Sequence, residues 1–462
     1  MKKLLPLLLL AGCIKVGPDY TRPDVVALPA EYPAAAAPGE AVIPADWWQL
    51  YSDATLNDLV ASARKANADI RLAAARVQEA EAVLREARAA LWPDVSAGYS
   101  YSRARVSTSS VPPPPTGTAM RPSHTLVLAS TSYELDFWGR YARASEAAQA
   151  NLLSSRHSQD TVALTLAGAT AQTYFALRSL DSQVTVLDLS IKLREDSLQI
   201  ARTRLQAGLA SELDVYQAEG ALADALFQRR DAARNRALIE RQLAQLTGRL
   251  DLKLAAGEVF QLPLPPVPPA GLPSTLLERR PDIRAAEQSL VAANAQIGVA
   301  RAAMFPTLSL TGSLGLQSAE FGELLTSGAR VWTLGAGLIG PIFDAGRRGA
   351  RVEQTEARRE QAVAGYQRAV ETGFREVADA LVNVQESTQA EDELRVRLDA
   401  AKKALELSRL RYESGYSPYL EVLDAQRTAN DAAIAFVRNR QARLAFTVDL
   451  MKALGGGWTD RN

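Results

Sequence analysis

One cysteine and two histidines in 462 residues leave almost nothing from which to build a soft-metal site or a cysteine–histidine nucleophile pair. The formal net charge is zero, from 52 basic and 52 acidic side chains, so no excess of either sign points to nucleic acid. Low hydrophobicity is not a feature either: 47% of the residues are hydrophobic, enough to bury large apolar surfaces rather than remain disordered. What is missing beyond the N-terminus is a long apolar run. No window approaches the ~20 consecutive apolar residues of a membrane-spanning helix, so a crossing of a membrane would have to use strands. There is no nucleophile–base pair, phosphate loop or metal cluster, and His124 and His157 are isolated in different elements. An enzyme is therefore the most distant reading.

The chain opens on Met1-Lys2-Lys3, a short apolar run from Leu4 to Leu10, and Ala11-Gly12-Cys13. A basic start, a short apolar core and small residues before a cut site describe a secretory signal over residues 1–12. Leu10-Ala11-Gly12-Cys13 also resembles the bacterial lipobox, which makes Cys13 the lipidation residue at the new N-terminus. The alternative is a signal peptide whose one cysteine happens to sit at its end. Ile14 rather than aspartate follows, which points to the outer membrane.

The rest of the chain says the same thing twice. Ala-Arg-Ala-Ala-Leu-Trp-Pro at 87–93 returns as Ala-Arg-Ala-Ala-Met-Phe-Pro at 300–306, and Asp69-Ile70-Arg71 as Asp282-Ile283-Arg284, both displaced by 213 residues. Gly139-Arg140 returns as Gly346-Arg347, and Arg204, Gly208, Leu213, Val215 and Ala218 as Arg411, Gly415, Leu420, Val422 and Ala425, all displaced by 207. The unit is duplicated, with one loop longer in the first copy, around the proline run 112–115.

Each copy supplies two strand-like segments, at about 94–105 and 124–137 and at about 307–317 and 331–343. Val95, Ala97, Tyr99 and Tyr101 alternate with small polar residues; so do Val127, Ala129, Thr131, Tyr133 and Leu135. Leu308, Leu310, Leu314 and Leu316 do the same, as do Trp332, Leu334, Ala336 and Leu338. Segments of about ten residues with one apolar and one polar face match transmembrane barrel hairpins, and match ordinary half-buried hairpins equally well. If they cross lipid, four strands are too few to close a barrel, and the chain must oligomerise; three chains give twelve strands.

Between the strand pairs the apolar spacing is helical. Proline is absent from 141–206, and Val162, Leu166, Ala169, Leu177, Leu180, Val184, Leu187, Ile191, Leu198 and Leu205 keep mostly three-and-four spacing. Val363, Val370, Phe374, Val377, Leu381 and Val384 repeat the pattern in the second copy. This predicts coiled-coil rods; sixty-odd residues make roughly 100 Å. Gly208 and Gly415 end the rods, Ser211 offers an N-cap and Pro418 suits the first turn of the returning helix. The expected organisation is a lipid-anchored segment at 13–54, repeat 1 at 55–260 with its helical hairpin at 139–248, a proline-rich linker at 261–273 read as a passive spacer, repeat 2 at 274–455 with its hairpin at 346–455, and a tail at 456–462. Glu134 and Asp136 either face a barrel lumen or sit where a strand ends. The charged run from Glu391 to Arg397 reads as a solvated rod face.

The arrangement resembles the TolC/OprM-type outer-membrane efflux proteins, in the NodT-like lipoprotein branch that serves resistance-nodulation-division (RND) pumps. The residues that carry the resemblance are Cys13 with Val16-Gly17-Pro18-Asp19-Tyr20-Thr21-Arg22-Pro23, Trp47-Trp48 with Tyr51 and Leu56, Asn67-Ala68-Asp69-Ile70-Arg71, Glu278-Arg279-Arg280-Pro281-Asp282-Ile283, and Val422-Leu423-Asp424-Ala425-Gln426-Arg427. The resemblance implies an α+β membrane protein: a homotrimer whose twelve strands form one outer-membrane β-barrel, continued by a twelve-helix periplasmic α-barrel. It implies a periplasmic adaptor (membrane fusion protein) and an inner-membrane RND transporter as partners, outer-membrane lipid around the barrel, and no cofactor beyond the covalent lipid on Cys13.

It also implies a gate at the helical tips. The positions matching the family's lumen acids are Glu421 and Asp424, three apart and so on one helical face. A threefold ring of six carboxylates would repel itself and attract cations, making the closed tip sensitive to divalent ions. The other reading is of solvated carboxylates near a helix N-terminus, where acids are favoured anyway. Tyr412 and Asp214 fall on positions resembling a tyrosine–aspartate latch, and the arginine some members carry two residues past the second glycine is Ser417 here. Gly208, Leu209, Gly415 and Tyr416 resemble the tips that meet the adaptor. The favoured function is an efflux exit duct closed at rest; the alternatives are the duct of a type I protein-secretion system and a non-conducting coiled-coil envelope lipoprotein.

Overall fold

The computed structural model describes residues 15–24, 27, 29, 32, 43–105, 120–269 and 276–457. Cys13, the proline run at 112–115 and the tail from 458 lie outside the described residues. A helix pair, a strand pair and a long helical hairpin occur in that order, twice. The first copy holds α1 (Ala54–Ala66), α2 (Ala68–Ala89), β1 (Val95–Arg105), β2 (Met120–Leu135), α3 (Arg140–Gln206) and α4 (Glu212–Thr247). The second holds α5 (Leu276–Arg279), α6 (Pro281–Ala302), β3 (Thr307–Ser318), β4 (Arg330–Ile339), α7 (Arg347–Glu413) and α8 (Tyr419–Ala453). Two of the helix pairs agree to the residue: α2 and α6 are both 22 residues long, and α3 and α7 both 67, while α4 and α8 have 36 and 35 residues and α1 and α5 differ, at 13 and 4. Among the described residues no helix is long and apolar enough to cross a membrane.

Local chemistry sets the helix ends. Gly208 and Gly415 have φ of +76° and +80°, the left-handed region open to glycine. Both close a Schellman turn: Leu209 N donates to the Arg204 carbonyl and Tyr416 N to that of Arg411, each at 2.8 Å. Ser211 caps α4 in a capping box, its hydroxyl accepting from Asp214 N while Asp214's carboxylate accepts from Ser211 N. Pro418, expected inside the first turn of α8, is its N-cap at φ −73° and ψ 159°. That extended ψ places the helix start one residue later, at Tyr419.

The chain divides into two units, 1–24, 77–155 and 286–366 forming one, and 25–76, 156–285 and 367–462 the other. The first contains the sheet, antiparallel in the order β1-β2-β3-β4, so the two hairpins are joined through β2 and β3. Residues paired across antiparallel strands share a face. Tyr133 with Leu310, Leu314 with Trp332 and Leu308 with Leu338 therefore lie on one side. Ser309 with Gly337, Thr311 with Gly335 and Ser313 with Thr333 lie on the other. One expectation is corrected: Val127 does not share the apolar face of Ala129. A bulge between them pairs Val127 with Gly315 and brings Leu126 opposite Leu316 instead. Gly315 is needed there, because a Cβ would run into the Leu126 carbonyl.

The second unit is organised around Trp47 and Tyr51, both fully buried on a 3-10 turn. They pack with Leu56, Leu59 and Val60 of α1, Tyr174, Phe175 and Leu177 of α3, Leu243 of α4 and Leu444, Val448 and Met451 of α8. Tyr51's hydroxyl meets the Thr447 hydroxyl at 2.7 Å. The linker is not a passive spacer at its start: Leu262 is buried in this core, Leu264 packs on it, and Arg440 donates to the Leu262 carbonyl at 2.7 Å. Glu391 is likewise not on a solvated face. It is buried, and α8 brings Arg443 and Arg440 to it while Arg395 approaches from its own helix, so the carboxylate is fully compensated.

The copies also repeat a tertiary contact with different residues. Asn67, at the break between α1 and α2, donates its amide to the Leu246 carbonyl near the end of α4 (3.0 Å) and accepts from Asp69 N (2.7 Å). Its counterpart Arg280 donates to the Ala453 carbonyl near the end of α8 (3.1 Å), bracketed by Asp282 and Glu376 at 2.7 Å each. Leu246 and Ala453 are themselves 207 residues apart, the displacement of the duplication.

Candidate functional site

At the ends of the helical hairpins the four long helices share one apolar cluster: Leu198 and Ala201 of α3, Val215 and Ala218 of α4, Tyr412 of α7, Tyr419 and Val422 of α8. Packing here joins the first hairpin to the second. Its polar component comes from Arg204, which stacks over the Tyr412 ring at 4.8 Å from the ring centroid and donates to the carbonyls of Tyr412 (2.8 Å) and Glu413 (3.3 Å). A cation on the last carbonyls of α7 also meets the negative end of that helix's dipole. Tyr412 and Tyr419 lie against each other, with centroids 5.4 Å apart. Burial pushes the Tyr419 hydroxyl up to about 12, with Tyr412 the next cause. Burial also raises Tyr412, Asp214 adding to it and Arg204 opposing it.

Glu421 and Asp424 stand on the first turns of α8, both well exposed. Neither is free of cations: Arg411 lies 3.6 Å from Glu421 and Arg427 2.9 Å from Asp424. Asp214 is engaged in the Ser211 capping box, and the Tyr412 hydroxyl is buried with no hydrogen-bond partner among the described residues. Within one chain, therefore, Tyr412 and Asp214 are not hydrogen-bonded; Tyr412 is held as a ring under Arg204. The Ser417 hydroxyl is also buried without a partner among the described residues. Leu209 and Tyr416, beside the two turn glycines, are among the exposed apolar side chains, Tyr416 at 81%. Two contacts had no role in the sequence reading. One is Arg204 on Tyr412; the other is Gln426, which donates to the Ser197 hydroxyl at 2.8 Å across the buried α3–α8 seam. Arg204 carried a signal, its recurrence as Arg411.

Away from the tips, the two acids near the end of β2 differ: Glu134 is within the strand, opposite Ser309 on the hydroxyl face, and Asp136 lies just past its end. Asp136 accepts from Ala142 N at 2.8 Å and caps α3, and Glu134 pairs with Arg140. His124 is not isolated but sits among Tyr99, Tyr101 and Phe321, with the Tyr99 hydroxyl 2.8 Å from its Nδ1. Among the described residues no cluster of histidine, cysteine or acids could hold a metal.

The segment following Cys13 is pinned along the strand unit. Val16 N donates to the Trp138 carbonyl (3.1 Å), Arg143 reaches Asp19 (2.7 Å), the Pro18 carbonyl accepts from Asn294 (2.9 Å), and Tyr20 and Arg22 both donate to Glu287. Gly17 and Gly298 meet so closely that a Cβ on Gly17 would lie 2.5 Å from the Gly298 Cα. The strap thus places Lys15 beside Gly139, where β2 gives way to α3.

Comparison with known proteins is consistent along the chain. The sequence pattern of the outer membrane efflux protein family matches residues 59–249 and 272–456. The chain is 36% identical to outer membrane protein OprJ of Pseudomonas aeruginosa over 460 residues, covering 97% of this chain and 94% of that one. It is 34% identical to the solvent efflux pump outer membrane protein SrpC of Pseudomonas putida, covering 98% and 97%. The CmeC outer membrane channel of Campylobacter jejuni superposes with a TM-score of 0.91 at 26% identity, covering 97% and 96%. With its duplicated strand and helix pairs on the same frame, the chain belongs to the outer membrane efflux protein family and is the outer-membrane exit duct of an efflux pump.

Proposed function

We propose that three copies close one twelve-stranded barrel, continued by twelve long helices, and that the helical tips gate it. The observation that carries this reading is the sheet: β1 and β4 are its two edges, and its faces are segregated into Leu308, Leu310, Leu314, Trp332, Leu334 and Leu338 on one side and Ser309, Thr311, Ser313 and Thr333 on the other. Lipid tolerates no open edge, so strands with a lipid-compatible face need strands from other copies. Trp332 and Leu334, more than three-quarters exposed, would meet lipid, and the hydroxyl face would line water. Leu226, Phe227 and Leu238 of α4, exposed in the single chain, support further contacts between copies.

In this duct Glu421 and Asp424 form the carboxylate ring at the tip, and Gly208, Leu209, Gly415 and Tyr416 meet a periplasmic adaptor that connects to an inner-membrane transporter. Tyr412 and Asp214 become a latch only if an approaching neighbour re-pairs them. Cys13 carries the lipid, which supplements an anchor that the barrel already provides. The strap supports this, since it leads toward the junction of strand and helix. The cargo is small solutes, drugs or solvents, as named for the relatives. The test is single-channel conductance in planar bilayers, of wild type and of Glu421→Ala with Asp424→Ala, with and without divalent cations. A small cation-preferring conductance that the double substitution enlarges and frees from divalent block supports duct and gate. A large, unchanged conductance moves the gate elsewhere, and trimers that insert without conducting overturn the duct.

A further inference from the structure

The duplication makes a statement about residues the single chain leaves without their counterpart contact. Within the chain, the first copy's Arg204 clamps the last carbonyls of the second copy's α7, at Tyr412 and Glu413. Shifted by the 207 residues of the repeat, Arg204 becomes Arg411, while Tyr412 and Glu413 become Leu205 and Gln206. The turn after Leu205 has the same form as that after Tyr412: Gly208 N donates to the Leu205 carbonyl at 2.9 Å as Gly415 N does to Tyr412 at 3.0 Å. Yet among the described residues no side chain of the chain reaches the carbonyls of Leu205 or Gln206, and Arg411 instead rests 3.6 Å from Glu421, both more than two-fifths exposed. An exposed pair at that distance is a weak one and gives way readily to better partners. Asn67 and Arg280 already demonstrate that the copies make matching contacts with helix-end carbonyls through different side chains.

We infer that Arg411 clamps the α3 end of the neighbouring copy, donating to the carbonyls of its Leu205 and Gln206, and so closes the ring of hairpins with a second kind of joint. This rests on the ring of copies proposed above. The two joints differ in a defined way. In the joint within the chain the guanidinium lies over the Tyr412 ring, with Tyr419 behind it. In the joint between chains those seats are taken by Leu205 and Glu212, so the stacking is lost and a carboxylate is gained. The between-chain joint is therefore the salt-sensitive one, and Arg411 is shared between the neighbour and Glu421 of its own gate.

The experiment is cysteine cross-linking in the full-length protein, whose one native cysteine is Cys13. Arg411→Cys combined with Gln206→Cys is treated with a short bis-maleimide, beside each single variant and the matching within-chain pair Arg204→Cys with Glu413→Cys. Oligomeric mass in detergent is measured independently. Expected are covalent dimers and trimers from the Arg411/Gln206 pair, monomers from the Arg204/Glu413 pair, and no ladder from the single variants. A protein that remains trimeric but yields no between-chain product overturns the Arg411 joint and leaves the duct standing. A protein that is not trimeric overturns both. As a second readout, Arg411→Ala is expected to raise conductance most at low salt, and Arg204→Ala at all salt concentrations; equal salt dependence would contradict the difference between the joints.

Discussion

Arg204 holds Tyr412 in two ways at once, its guanidinium over the ring and one nitrogen on the carbonyl of the same residue. The pair joins residues from the two copies of the repeat, at the ends of two 67-residue helices. Hydrogen bonds from a charged donor contribute about 1.5–3 kcal/mol and an exposed cation–π contact about 0.5–1 kcal/mol. Arg204→Ala is expected to destabilise the tip by about 2 kcal/mol without unfolding the second unit, whose core around Trp47 lies in other residues. Hydrogen exchange of peptides at 198–215 and 405–425 reads this directly: faster exchange there, with unchanged exchange around Trp47. Arg204→Lys keeps the charge and loses the planar stack, and should fall between the two.

Each of the two carboxylates proposed for the gate has an arginine beside it in the single chain. Arg427 lies 2.9 Å from Asp424, but both side chains are about two-thirds exposed. Such a pair is worth roughly 0–1 kcal/mol, so Arg427→Ala should leave thermal stability unchanged within about 0.5 kcal/mol. Its effect is expected in the proposed ring, where removing the cation would leave Asp424 to present a full negative charge to entering ions. Divalent block of the conductance should then set in at lower cation concentration than in wild type. A block that weakens would show that Arg427 rather than Asp424 faces the ions.

The features legible in the sequence are those set by neighbours along the chain. Turn glycines, the Ser211 cap and the alternation in β3 and β4 each depend on a few consecutive residues, and the duplication doubles each signal. What the sequence hid depends on partners far away. The bulge that turns Val127 from the apolar face is a property of its register against β3, not of its own alternation. Glu391 looked solvated because the arginines that bury it come from α8, 52 residues on in the case of Arg443. Arg204 recurs visibly as Arg411, but its role required seeing it 208 residues away on Tyr412. The start of the proline-rich linker packs rather than merely spaces for a related reason: prolines announce an extended chain, whereas the leucines between them decide what it packs against.

Alkaline pH offers a probe of the tip that spares the rest. Tyr419 is held up at about 12 by burial and then by Tyr412, and Tyr412 is shifted in the same direction. Unfolded tyrosine titrates near ~10. A folded value above the unfolded one means the contribution is complete below about pH 10 and is lost as pH rises toward about 12. Exchange at the tip should therefore be flat from pH 7 to 9 after correction for intrinsic rates, and protection should fall between about pH 10 and 12. Tyr419→Phe removes a buried hydroxyl that has no partner among the described residues, so it should cost nothing or stabilise slightly, and should shrink the alkaline transition. A destabilised Tyr419→Phe would mean that the hydroxyl is satisfied by another copy.

The strap after Cys13 separates steric from electrostatic anchoring. Asp19 is 89% exposed, and the buried Arg143 it pairs with keeps Glu146 at 2.9 Å, so Asp19→Ala should loosen the strap only slightly, by up to about 1 kcal/mol. Gly298 is a different case. A Cβ there would stand 2.7 Å from the Val16 carbonyl oxygen and 2.8 Å from Arg143 Cγ, and the backbone on one side cannot yield without leaving its seat. Gly298→Val is expected to lift the strap from α6, breaking the Asn294 bond to the Pro18 carbonyl and weakening the Glu287 contacts with Tyr20 and Arg22. Limited trypsin digestion reads the difference: cleavage after Lys15 should be slow in wild type, little changed in Asp19→Ala and at least several-fold faster in Gly298→Val. Because the strap lies outside the sheet, the oligomeric mass in detergent should be the same in both variants as in wild type. Equal cleavage in all three would show that the Glu287 contacts alone hold the segment, and Glu287→Gln would then release it.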